Sequence, residues 1–69
     1  MVTFKLATKQ SQEVIVNGKT FGYILKERGF TIGPSTIKDF IADITAEDFR
    51  TITQRIEDIR SGKRSVLDP

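Results

Sequence analysis

The stretch Val14-Ile15-Val16-Asn17-Gly18-Lys19-Thr20-Phe21-Gly22-Tyr23-Ile24-Leu25-Lys26 decides how the rest of the chain is read. Two β-forming runs flank Asn-Gly, and a type I′ turn needs positive φ at both central residues, which Asn and Gly tolerate best. The segment therefore predicts a hairpin. Upstream, Val2, Phe4 and Leu6 alternate with Thr3 and Lys5, the period of a half-buried strand, while residues 9–12 are polar and unpatterned and read as a loop. Downstream, Glu27-Arg28-Gly29 can close a second turn, which makes Phe30-Thr31-Ile32 a short fourth strand.

From Gly33-Pro34 onward the apolar period changes. Ile37, Phe40, Ile41 and Ile44 fall on one helical face, with Ser35 or Thr36 available as N-cap. Thr45-Ala46-Glu47-Asp48 opens a second helix, its acidic residues in the first turn where the helix dipole favours them. Phe49, Ile52, Ile56 and Ile59 continue that helix on one face, and Gly62 ends it, with Arg60 and Lys63 beside its negative end. The expected fold class is α+β: a small antiparallel β-meander of three to four strands, followed by two α-helices packed on one face. Residues 1–60 form the single domain and residues 61–69 a flexible C-terminal tail.

The 69 residues contain no Cys and no His. That composition excludes a zinc site of Cys or His, a disulfide framework, a thiol nucleophile and a Ser-His-Asp triad. No Gly-x-Ser-x-Gly turn and no Gly-rich phosphate loop is present, so no enzyme activity, cofactor or metal is expected. Asp39, Asp43, Glu47 and Asp48 lie close together in sequence, but their spacing is not that of a calcium loop and they read as a solvated acidic face. No apolar run approaches the roughly 18 residues of a spanning helix, and residues 1–7 lack the long apolar core of a secretion signal. A cytoplasmic protein that does not enter a membrane is the expectation.

The net charge of +2 conceals an uneven distribution. Residues 1–38 carry six Lys/Arg and two Asp/Glu, residues 39–59 two and six, and residues 60–69 three and one. A basic front, an acidic middle and a basic tail suggest a polyanionic partner or a charge-matched dimer.

Lys19-Thr20-Phe21-Gly22-Tyr23-Ile24 resembles the basic-aromatic strand of RNA-recognition motifs and cold-shock domains. The resemblance implies that Phe21 and Tyr23 stack on bases, that Lys19 contacts phosphate and that Gly22 lets the nucleic acid approach the backbone. The chain departs from that pattern at Thr20 and Lys26. In a second reading Phe21, Tyr23 and Leu25 face the helices, and the opposite sheet face is a basic surface on which Lys5, Lys26 and Arg28 meet phosphates. A third starts from Ile24-Leu25-Lys26-Glu27-Arg28-Gly29-Phe30-Thr31-Ile32 and Ser35-Thr36-Ile37, which resemble the helix-turn-helix of arginine-repressor-type winged helices. That resemblance implies a recognition helix over residues 35–44 offering Ser35, Thr36 and Lys38 to the major groove, and it requires residues 19–28 to be helical.

The tail combines Arg60, Lys63 and Arg64 with the apolar pair Val66 and Leu67, a layout similar to the partner-binding arms of small bacterial antitoxins. Two functional expectations follow. The first is a small regulatory or accessory protein that binds DNA or RNA through a basic sheet face, with Lys5, Lys19, Lys26, Arg28, Phe21 and Tyr23 as contacts. The second is a protein-interaction module, of adaptor, antitoxin-like or phage-accessory type, that uses the acidic helical face or the tail. A homodimer is compatible with both.

Overall fold

A computed structural model describes residues 1–27, 29–31 and 44–69. Four strands, β1 (Val2–Thr8), β2 (Ser11–Val16), β3 (Lys19–Leu25) and β4 (Gly29–Thr31), form an antiparallel sheet in the order β1-β2-β3-β4. One described helix, α1 (Ala46–Arg60), follows. The fold is α+β with the four-stranded antiparallel meander expected, although β2 begins at Ser11, inside the stretch 9–12 read as a loop. The expected first helix, built on Ile37, Phe40 and Ile41, lies outside the described residues.

The hairpin between β2 and β3 turns where Asn-Gly places it. Asn17 has φ of 52° and Gly18 of 85°, both positive as a type I′ turn demands. Because residues 19–25 are strand, the helix-turn-helix reading is overturned: Asn-Gly at the start of the segment enforces a hairpin and leaves no helix there.

A β-bulge sets which side chains of β3 face inward. Val14 pairs with Gly22 and Ile15 with Thr20, so Phe21 is an extra residue on β3. The insertion shifts the alternation by one. Phe21 is 6% exposed on the helix side and Ile24 is fully buried there, whereas Tyr23, paired with Glu13 and Thr31, is 40% exposed on the opposite face. The expectation that Phe21, Tyr23 and Leu25 share a face is thereby corrected.

The core joins Val14, Val16, Phe21 and Ile24 of the sheet to Ile52 and Ile59 of α1 and to Val66. Phe21 stacks on Phe30 with centroids 5.9 Å apart and meets Phe49 edge-on at 6.3 Å. Such offset and edge geometries suit the ring quadrupoles. Gly22 makes this packing close: a Cβ there would lie 2.6 Å from the Thr31 carbonyl oxygen and 2.7 Å from Phe30 Cζ.

Helix α1 starts with a capping box. The Thr45 hydroxyl accepts from the Asp48 amide at 3.0 Å and the Asp48 carboxylate accepts from the Thr45 amide at 3.2 Å. At its end Gly62 donates to the Ile59 carbonyl and the Arg64 amide to the Asp58 carbonyl, as the sequence suggests for a glycine stop. Asp48 lies 3.8 Å from the Met1 amine, and Arg55 stands over Phe4, so α1 runs in the same sense as β1. It points toward the β1–β2 turn.

The flexible tail expected over residues 61–69 is corrected. Val66 is 5% exposed in the core, and the Gln12 side-chain amide donates to the Val66 carbonyl at 2.8 Å and to the Ser65 carbonyl at 3.4 Å. Gln12 is a strand residue, not part of a loop, and burial of its amide is compatible with folding because these carbonyls satisfy it. No helix among the described residues is long and apolar enough to cross a membrane.

Candidate nucleic-acid interface

The aromatic pair of the proposed base-stacking strand is divided by the bulge. Phe21 is packed into the core, so only Tyr23 is open to a base. The space above Gly22, which the resemblance assigns to a nucleic acid, is filled by Phe30 and the β4 backbone. A platform of two adjacent aromatics is absent from β3 because one extra residue puts them on opposite faces.

The outer sheet face is also less basic than the sequence suggests. Its middle row reads Lys5, Glu13, Tyr23, Thr31, and the Glu13 carboxylate accepts a hydrogen bond from the Thr20 hydroxyl. One carboxylate thus stands between the face's lysine and its aromatic ring, which weakens this face as a phosphate tracker.

The lysines gather at the ends of the sheet instead. Lys19 follows the β2–β3 turn at one end. Lys9, in the β1–β2 turn, and Lys26, in the β3–β4 turn, occupy the other, where the Lys26 amide donates to the Gln10 carbonyl at 2.9 Å. Arg55 contacts Phe4 and Gln12, and α1 continues for about 7.5 Å beyond it, at 1.5 Å per residue. Arg60 and Lys63 are therefore delivered to the same end of the sheet as Lys9 and Lys26. Arg64 joins them. Arg28 lies outside the described residues.

Two basic segments far apart in sequence are directed to the same end of the sheet in this way. Lys9, Lys26, Arg60 and Lys63 are exposed and make no ion pair among the described residues, while Arg64 pairs with Asp68 at 3.4 Å. The acidic first turn of α1, with Glu47 and Asp48, lies at the far end beside Met1. Carboxylates are interspersed at the lysine end as well, with Glu27 next to Lys26 and Glu57 and Asp58 in the last turns of α1. Lys9 had no sequence signal beyond its charge, since only the fold puts its turn at the end of the sheet toward which α1 runs. Among the residues expected in the tail contact, Val66 is committed to the core and Leu67 is exposed.

Arg55 is the other group that the sequence did not single out. Its guanidinium carbon sits 4.0 Å from the Phe4 ring centroid and Nη1 donates to Gln12 Oε1 at 3.2 Å. Burial, and secondarily the charge of Arg64, lower its pKa from the ordinary value, although a guanidinium stays protonated. No group of three or more potential metal-ligating side chains occurs among the described residues. Of the four clustered carboxylates, Asp48 is used in the helix cap and Asp39 and Asp43 lie outside the described residues.

Compared with family models, curated proteins and solved structures, the chain has no significant match.

Proposed function

We propose that this chain is a non-enzymatic accessory or regulatory module that binds nucleic acid through its phosphate backbone, with the basic end as contact surface. The observation that carries the reading is the placement of Lys9 and Lys26 in the turns at the end of the sheet toward which α1 carries Arg60 and Lys63, all exposed and without an ion pair among the described residues. Clustered cations of this kind release counterions from a polyanion, whereas scattered ones are already screened. Tyr23 can add one stacking contact on the adjoining face, and a single ring provides little sequence preference.

Fluorescence titration of short DNA and RNA oligonucleotides at two salt concentrations tests this. Four phosphate contacts give a log–log salt slope of about −3 to −4. The triple substitution Lys9→Glu, Lys26→Glu, Lys63→Glu should abolish binding, while Lys19→Glu, at the opposite end of the sheet, should leave it near the native value. Absence of binding at low salt, or equal loss from Lys19→Glu, refutes the reading.

A protein partner, including a second copy of the chain, is favoured by a different observation. Phe49 and Leu67 are each about half exposed, 49% and 55%, which is large apolar surface for so small a domain. A native mass measurement at micromolar concentration separates a self-associating chain from a monomer that needs another protein.

A further inference from the structure

We infer that Arg55 and Arg64 form a binding site for one phosphodiester group and that Asp68 occupies it in cis. The inference rests on the nucleic-acid reading above and adds a specific site and its regulation. Both guanidinium groups converge on a single residue: Arg55 Nη1 lies 3.5 Å and Arg64 Nη1 3.3 Å from the Asp68 carbonyl oxygen, and Arg64 Nη1 is 3.4 Å from the Asp68 carboxylate. The acceptor the two share is the neutral Asp68 carbonyl, and only Arg64 reaches the carboxylate, so the repulsion between the two cations is incompletely offset and an anion between them would relieve it.

Arg55 is already oriented for that task. Its plane is fixed over the Phe4 ring and by the bond to fully buried Gln12, so little side-chain freedom is lost on binding a ligand. The Asp68 contacts, in contrast, are long. The one contact to its carboxylate is 3.4 Å, whereas charge-assisted bonds from Arg to an anion normally close to about 2.7–2.9 Å. Asp68 is thus a loose occupant, exposed over 70% of its side chain, and a better acceptor can displace it.

Beside the pair lies an open groove of about 500 Å³, which Arg50 also lines. Glu47 and Asp58 line it too, so a dianionic phosphate meets more repulsion there than the singly charged diester of a nucleic-acid backbone. The site therefore selects the diester.

The test uses the full chain, with a short single-stranded DNA oligonucleotide and inorganic phosphate as probes. Asp68→Ala removes the carboxylate paired with Arg64 while keeping the shared carbonyl, and should tighten oligonucleotide binding about two- to five-fold, the range of one exposed ion pair. Arg64→Gln should weaken it by a similar factor. Both positions are solvent-accessible, and circular dichroism verifies that each variant folds. The Arg55 Nε–Hε resonance should shift on saturation with oligonucleotide, and inorganic phosphate should compete only at far higher concentration. If oligonucleotide binds through the lysines but Asp68→Ala leaves affinity unchanged, or the Arg55 resonance does not move, the site is refuted while the nucleic-acid reading stands. Failure of the native chain and of Asp68→Ala to bind at low salt refutes both. Competition by phosphate at matched concentration of phosphate groups refutes the assignment to the diester.

Discussion

Gln12 shows how much one polar side chain can fasten in a domain this small. Its amide donates to two carbonyls beyond the helix, the bond to Val66 buried, and its oxygen accepts from Arg55. Gln12→Leu preserves the volume but leaves those partners unsatisfied. The expected cost is about 1–3 kcal/mol in a urea titration, accompanied by faster amide exchange over residues 64–68. Gly22 is the second such residue, for the opposite reason. Gly22→Ala places a methyl group against the Thr31 carbonyl oxygen, which belongs to the backbone and cannot rotate away. It should destabilise the fold by about 1–3 kcal/mol and weaken the cross-strand contacts between β3 and β4 seen by NMR. A Gly22→Ala variant with native stability and intact β4 pairing would show that the bulge has room to relax.

At the scale of elements, α1 depends on its first turn. Thr45→Ala removes the hydroxyl that accepts from the Asp48 amide, and a loss of about 1 kcal/mol is expected from thermal denaturation followed by circular dichroism. This cap and the Asn17-Gly18 turn were legible in the sequence because each is decided within four or five residues. The bulge was not. One additional residue in a strand leaves no local mark in Lys19-Thr20-Phe21-Gly22-Tyr23, and only the pairing of Val14 with Gly22 and Ile15 with Thr20 reveals it. Consequently Phe21 and Tyr23, correctly placed on a strand, were assigned to a common face. Gln12 was missed because a polar residue in an unpatterned stretch reads as loop, although here its partners lie 53 and 54 residues away. The basic end was half visible. The charges of Lys26, Arg60, Lys63 and Arg64 are plain in the sequence, but their common end of the molecule, and the place of Lys9 there, follow from the direction in which α1 crosses the sheet.

On the scale of the whole molecule, the segment after the helix is part of the domain. A chain ending at Arg64 loses the buried Val66 and two carbonyl partners of Gln12, together worth about 2–4 kcal/mol. With about 4–8 °C of melting temperature per kcal/mol for a domain of this size, its midpoint should fall by at least about 8 °C in calorimetry. An unchanged midpoint would show that the anchor contributes nothing. The anchor also orders events during synthesis. Each strand pairs with its neighbour in sequence, so the pairing of the sheet needs nothing beyond residue 31. Its inner strip of Val14, Val16 and Ile24 then waits for α1, and Gln12 has no protein partner for its amide until residues 65 and 66 are added. At about 5–20 residues per second that interval lasts about 2–7 s. A sheet that leaves the ribosome before α1 and Val66 are in place has its inner strip uncovered, and a chaperone or a second nascent chain can bind there.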